Sequence, residues 1–287
     1  MTGSTDDLGL FGPDSVTWRV HDEPILVVAG LRSLYLQALH PQAIAGVAQN
    51  SDYRSDPFGR LLRTSSYVAT TVWGTIAEAE AAGERIRRLH ARLRATDPQT
   101  GEKFRIDHPD LLRWVHVAEV ESFLTTATRA GLALSPAEVD RYYAEQRRSA
   151  ALVGLDPAGV PGSAAEVAAY YRDVRPQLRM TRQAADTALF LTAPPVPEQL
   201  GLPWRLGLGF GPPRLAYLGI AATAAGLLPT WARRMYGGLG LPAAGHCAAL
   251  SARSLRLALR AVPRDLLEGP IRKAARARVQ RLRQPVT

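Results

Sequence analysis

The sequence predicts an all-α fold, a single helical domain, and three observations carry the prediction. Ser or Thr followed three residues later by Glu marks a capped helix start, and this signature occurs at Thr75/Glu78, Ser135/Glu138 and Ser163/Glu166. Apolar residues between such starts recur at helical spacing. Alternating apolar and polar runs bounded by Asn-Gly or Asp-Gly, which would signal β-hairpins, do not occur. A chain of 287 residues is long enough to bury a sizeable core.

The elements follow in order. Residues 25–39 are apolar nearly all round and read as a buried helix, stopped at His40-Pro41 because proline disfavours the α conformation of the residue before it. Pro57 suits the first turn of the next helix, which Gly74 ends. The Thr75/Glu78 box starts a long helix that is expected to reach Ala95, with a turn over residues 97–101. His108-Pro109-Asp110 opens a helix in which Leu111, Val115, Val117, Val120 and Leu124 recur at helical spacing. Ser135-Pro136 starts a helix over residues 136–152, and Ser163 starts one reaching Leu178. Thr181 caps a short helix that ends before Pro194-Pro195. Residues 201–213 read as a Gly/Pro-rich linker. Residues 215–228 and 243–261 read as apolar helices, the former as core, and residues 270–283 as a basic, solvated tail helix. Residues 1–20 are assigned to an N-terminal extension and 21–287 to the main domain, within which 212–287 can form a C-terminal helical subdomain.

Composition excludes several classes. Cys247 is the one cysteine, so neither a disulfide framework nor a Cys-rich zinc site is available; it is expected to be a buried thiol. The polar, acidic N-terminus carries no basic segment, and no long uninterrupted apolar run occurs, so neither a secretory signal nor a membrane span is expected and the assigned compartment is the cytoplasm. GxGxxG after a strand, GxxxxGK[ST] and HExxH are all missing. The net charge is +9, and all basic residues but Lys103 and Lys273 are arginine. Such a charge suits nucleic acid, acidic lipid or anionic ligands. The excess of Arg over Lys suits planar carboxylates and phosphates, and is equally the product of GC-rich coding.

The residues with chemical promise lie before position 120. In Arg87-Arg88-Leu89-His90-Ala91-Arg92-Leu93-Arg94, helical spacing puts Arg87, His90 and Arg94 on one face. Arg60, Arg63 and Thr64 share a face of the preceding helix. His116 sits in an otherwise apolar helix beside Trp114. A single imidazole facing an apolar slot is enough to hold a haem iron, and arginines suit its propionates, whereas a lone helical histidine or arginine is more often solvated or ion-paired.

At these residues the sequence resembles the MpaB-like oxygenases, the rubber oxygenase (latex clearing protein) family. The resemblance rests on Leu39-His40-Pro41, Asn50-Ser51-Asp52-Tyr53 with Asp56-Pro57, Gly59-Arg60-Leu61-Leu62-Arg63-Thr64, Arg88-Leu89-His90-Ala91-Arg92 and Trp114-Val115-His116. Leu134-Ser135-Pro136-Ala137-Glu138 with Tyr142-Tyr143, and Leu228-Pro229 with Tyr236-Gly237, add to it. It implies an all-helical fold with a globin-like core plus additional helices, a b-type haem, and dioxygen chemistry on an apolar, usually unsaturated or terpenoid small molecule. It makes His90 the proximal iron ligand, places Arg60 and Thr64 in the pocket, and puts His116 near it. Latex clearing protein carries lysine where Arg63 stands, and the family often has histidine where Asn50 stands. Arg63 stays protonated and cannot ligate iron, which argues against rubber cleavage.

The mechanism expected from this reading has His90 on iron with its other ring nitrogen held by a carbonyl or carboxylate. Arg63 and Thr64 hydrogen-bond to bound dioxygen, Arg60 or Arg94 anchors a propionate, and an apolar tunnel admits the substrate. One alternative is a haem-binding or sensing protein without turnover. Another is a helical interaction module using its basic tail, residues 272–283, on nucleic acid or anionic lipid, although no nucleic-acid partner is expected. A weak association of residues 215–228 with a membrane surface is a third.

Overall fold

The computed structural model describes residues 7–51, 53–194, 211–238 and 242–283; residues 201–210 of the expected linker lie outside the described residues. Among the described residues the chain forms fourteen α-helices and one two-stranded hairpin, so the fold is all-α. In chain order the first helices are α1 (Val16–His21), α2 (Leu26–Ala38), α3 (Pro41–Asn50), α4 (Pro57–Trp73) and α5 (Ile76–Arg92). The hairpin of β1 (Arg94–Thr96) and β2 (Lys103–Arg105) comes next. Then come α6 (Pro109–Arg129), α7 (Pro136–Leu152), α8 (Ala164–Val174) and α9 (Arg182–Thr192). The chain ends with α10 (Pro212–Gly226), α11 (Thr230–Met235), α12 (Pro242–Arg260), α13 (Arg264–Leu267) and α14 (Pro270–Arg283).

The caps act as the sequence predicts. Thr75 and Glu78 exchange backbone and side-chain hydrogen bonds of 2.8 and 3.2 Å at the start of α5, and Ser135 and Glu138 do the same for α7. Ser163 caps α8 and Thr181 caps α9. Each such cap stabilises its helix by about 1 kcal/mol, so the starts are locally determined. Three expectations fail at helix ends. The helix at His90 stops at Arg92 rather than Ala95, because residues 94–96 pair antiparallel with 103–105, with Ala95 opposite Phe104. The helix at Ser163 stops at Val174, and residues 175–177 tighten into a 3₁₀ turn. Residues 41–50 form the unpredicted α3, with Pro41 in its first turn and His40 Nδ1 accepting from Ala43 N.

The core centres on α2 crossing α6. Val28, Ala29 and Leu36 pack with Trp114, Val117 and Ala118 in one large cluster. At its centre lies a buried ion pair: Arg32, 1% exposed, meets Glu121 through two nitrogens, and also donates to Ser122 Oγ at 2.7 Å and Leu227 O at 3.0 Å. Residues 212–287 contribute Ala224, Leu227, Leu228, Ala232, Ala248 and Ala252 to this same cluster. Val16 and Val20 of α1, from the assigned N-terminal extension, belong to it as well.

The basic tail is solvated on one face only: Lys273, Arg281 and Arg283 are exposed, while the other face packs on the domain. Ala275 and Val279 of α14 are buried against Trp18, Val72 and Trp73 in a second cluster. Three of its arginines turn inward: Arg276 Nη2 reaches Asp22 Oδ1 at 2.6 Å, Arg272 also pairs with Asp22, and Arg278 donates to Trp73 O at 2.9 Å. On α12, Arg256 and Arg260 hold the buried Glu23 at 2.7 and 2.9 Å. The carboxylates at 22 and 23 thus draw α12 and α14 onto α1, which ties up Arg272 and Arg276 of the tail.

Cys247 is exposed on α12, contrary to expectation, because the stripe of α12 that carries it faces outward while Ala248 and Ala252 face the core. The apolar helix α10 is likewise core on one face only: Ala221 and Ala224 are buried and Leu215 is 68% exposed.

Candidate functional site

The hairpin of α4 and α5 is asymmetric. Near its turn, Thr71, Val72, Trp73, Ala79, Ala82 and Gly83 are buried. Toward the opposite end, Leu61, Leu62 and Leu89 are 51, 69 and 50% exposed. Antiparallel connection through Gly74 brings the start of α4, with Arg60, and the end of α5, with His90, to that same end. The result is a fork, closed and clamped by α14 at the turn, with Leu61, Leu62 and Leu89 exposed among arginines toward its tips.

His90 is half-buried on α5. Its Nδ1 is buried and has no hydrogen-bond partner among the described residues. Burial pushes the imidazole below its ordinary pKa, against the opposing charge of Asp107, so the ring is neutral at neutral pH. Asp107 sits between β2 and α6 and is fixed by Arg105 Nε at 2.8 Å. The carbonyl or carboxylate expected to bond the second ring nitrogen is therefore not in place; a carboxylate acts on the ring through its charge only.

The three predicted residues on α4 differ in setting. Arg60 is half-buried, pairs with Ser51 Oγ, and lies 5.9 Å from the Tyr53 ring centroid. Burial lowers its pKa, with Tyr53 opposing and Arg63 assisting, yet a guanidinium remains charged. Arg63 is exposed and meets Asp56 at 3.2 Å, and Thr64 is exposed one turn beyond Arg60.

The shared face of Arg87, His90 and Arg94 is not formed. Arg94 lies on β1, beyond the helix, and its Nη1 donates to Ala91 O and Leu93 O at 2.8 Å, closing the C-terminus of α5. Arg87 donates to Leu152 O at 2.6 Å and ties α5 to α7. Asn50, where the family often has histidine, bridges α3 and β1 by donating to Gly46 O and Arg94 O at 3.1 and 3.0 Å.

His116 lies on α6 and lines a crevice of about 10 Å³ with Val117, Val120 and Tyr143, space for at most one water. Burial lowers its pKa to about 4. One turn on, Glu119 is raised to about 7 by burial, and its charge acts on Tyr67 of α4, which burial also raises. Sequence reasoning missed Glu119 and Tyr67. The available signal was an acidic residue one turn from His116 in an apolar helix.

The described residues contain no group of three or more His, Cys, Asp or Glu able to hold a metal ion between them, so the multi-ligand type of metal centre has no support there. The fold is an all-helical domain, and His90 is half-buried near the end of α5 with a buried ring nitrogen that lacks a hydrogen-bond partner among the described residues. The profile of the family described as ER-bound oxygenase mpaB/B'/Rubber oxygenase, catalytic domain, matches residues 18–264, and the chain belongs to that family. It is an enzyme of the oxygenase class, as the resemblance implied. Neither characterised proteins nor solved structures give a significant match. No helix among the described residues is long and apolar enough to cross a membrane.

Proposed function

We propose that this enzyme is a haem b-dependent oxygenase that uses dioxygen on an apolar, unsaturated or terpenoid small molecule, with His90 as the iron ligand. The observation that carries the proposal is the His90 imidazole itself: neutral, half-buried, at the uncovered end of the α4–α5 fork, with an orphaned buried nitrogen. Haem, when bound, supplies the iron that activates dioxygen.

The chain's own residues then have separable tasks. His90 offers a lone pair without first losing a proton, because burial has already neutralised it. Arg60 stays charged and suits a propionate. Arg63 is held only by an exposed pair with Asp56, worth about 0–1 kcal/mol, so it can exchange that partner for another anion at small cost. Arg63 and Thr64 are the donors available to stabilise negative charge developing on oxygen. Leu61, Leu62 and Leu89 are exposed apolar side chains on the two helices that carry Arg60 and His90, available to a macrocycle or an apolar substrate. Glu119, pushed up to about 7 by burial, is able to exchange a proton near neutrality. Arg94, occupied at the end of α5, leaves Arg60 the better placed propionate partner.

The test is an absorption spectrum of the purified protein after haem supplementation, paired with oxygen uptake on unsaturated terpenoids. A Soret band that disappears in His90→Ala, with uptake by the native protein, is the expected result. A His90→Ala protein that retains full haem overturns the assignment. A stable six-coordinate spectrum without oxygen uptake would instead make the protein a sensor.

A further inference from the structure

The positive charge of this chain is not spread evenly. Residues 199–287 hold fourteen Arg and Lys against two acidic residues, Asp265 and Glu268, while residues 1–198 hold twenty-one against twenty-four. Between Gln199 and Arg264 there is no acidic residue at all. The helices of this region also expose apolar side chains. On α12, Leu250 and Leu257 stand two turns apart on one stripe and are 61 and 68% exposed. Leu266 and Leu267 on α13 are 77 and 41% exposed.

Packing makes these leucines neighbours. Helices α10 and α12 run antiparallel through small residues: Thr223 Oγ1 meets Ser251 Oγ at 2.8 Å, and a Cβ on Gly226 would come within 2.6 Å of the Ala248 Cβ. Continuing that pairing sets Leu215, 68% exposed, level with the last turns of α12, beside Leu257 and just before α13. Arginines flank this apolar area. Arg253 is exposed, and Arg260 and Arg264 have 52 and 72% of their side chains exposed. The acidic partners of this arginine group are outnumbered five to three: Arg256 and Arg260 share Glu23, Arg264, Arg272 and Arg276 share Asp22, and Arg272 and Arg276 also meet Glu268. Net positive charge therefore remains at the surface.

We propose that the outer face of α10, α12 and α13 docks on the surface of an anionic lipid bilayer, with the leucines entering the acyl boundary and Arg253, Arg260 and Arg264 meeting headgroup phosphates. A bilayer supplies both an apolar interior and a negative surface in one partner. Nucleic acid offers nothing to the leucines. A second copy of the chain would bring two faces together on which Arg253, Arg260 and Arg264 outnumber the one exposed acid, Asp265, so like charge would meet like. The docking is peripheral, since none of these helices can span. It goes beyond the oxygenase reading and does not depend on haem.

The experiment uses the full-length protein, with Cys247 as a built-in reporter, because it is the chain's one cysteine and is exposed on this helix. A polarity-sensitive fluorophore on Cys247 is expected to shift to the blue on vesicles of phosphatidylcholine with phosphatidylglycerol, and not on phosphatidylcholine alone. Co-sedimentation of the unlabelled protein should show the same preference and weaken in about 0.5 M salt. Leu257→Glu and Leu266→Glu should each lower vesicle affinity about tenfold. Arg264→Gln, at a largely exposed side chain, should lower it severalfold on anionic vesicles only. Unchanged melting temperatures show that the variants remain folded. Equal binding by all variants, or no binding to anionic vesicles, overturns the proposal. So does a dimer in solution that Leu257→Glu dissociates without any vesicle binding, which would make the face an interface between copies. Haem content is recorded in each sample, so failure of docking and failure of the haem assignment are read separately.

Discussion

Removing the carboxylate of Glu121 should destabilise the enzyme more than removing both members of its ion pair. Arg32 is 1% exposed and Glu121 has 12% of its side chain exposed, so neither charge is well solvated. Glu121 accepts from Arg32 Nη2 at 3.1 Å, from Thr125 Oγ1 at 2.7 Å and from Tyr171 OH at 3.2 Å. In Glu121→Ala the guanidinium keeps Ser122 Oγ and Leu227 O but loses its counter-charge, and such uncompensated burial costs about 3–5 kcal/mol. At about 2–4 °C per kcal/mol for a domain near this size, the melting temperature should fall by roughly 6–20 °C. The double variant Arg32→Met/Glu121→Leu keeps apolar volume at both positions and leaves no buried charge, so it should recover most of that loss. Urea denaturation followed by circular dichroism gives both values. If Glu121→Ala and the double variant unfold together, the cost lies in lost packing and the electrostatic reasoning fails.

Two further outcomes follow from the site. Glu119 has a folded-state pKa of about 7, above its unfolded value, so the native state binds more protons between pH 4.5 and 7 and loses stability as pH rises through that window. Glu119→Gln should remove this loss and be more stable relative to the native protein at pH 8 than at pH 5, by about 1–3 kcal/mol, as read by denaturation at the two pH values. A Cβ on Gly83 would lie 2.7 Å from Leu152 O and 2.9 Å from Leu152 Cβ, so Gly83→Ala should push α5 from α7. The expected cost is about 1–3 kcal/mol, with haem retention, read from the Soret absorbance, falling alongside it.

Helix starts were legible because their determinants are local. Thr75/Glu78 and Ser135/Glu138 specify their own caps within four residues, whatever the rest of the chain does. The hairpin of β1 and β2 was not, since three-residue strands are too short to show alternation. That one omission displaced Arg94, which helical spacing had aligned with His90. Burial of Arg32 was equally hidden, because an arginine among apolar residues declares no partner and Glu121 lies 89 positions away. Cys247 and Leu257 were hidden for a related reason. Apolar spacing reveals that a helix has an apolar stripe, but not whether core or surroundings receive it. In the candidate site, His90 was singled out by its motif, whereas Glu119 and Tyr67 acquire their shifted acidities only from depth in the fold.

The clamp on Asp22 and Glu23 also sets an order in time. Glu23 is separated from Arg256 by 233 residues, and a ribosome adding 5–20 residues per second needs roughly 10–50 s to bridge that interval. Throughout that wait α1 can already settle on Glu145, which accepts from Thr17 N, and on Val72 O, which accepts from Trp18 Nε1, while the two carboxylates lack the arginines of α12 and α14. The clamp itself can therefore form only late in synthesis, once the arginines from the far end of the message have emerged.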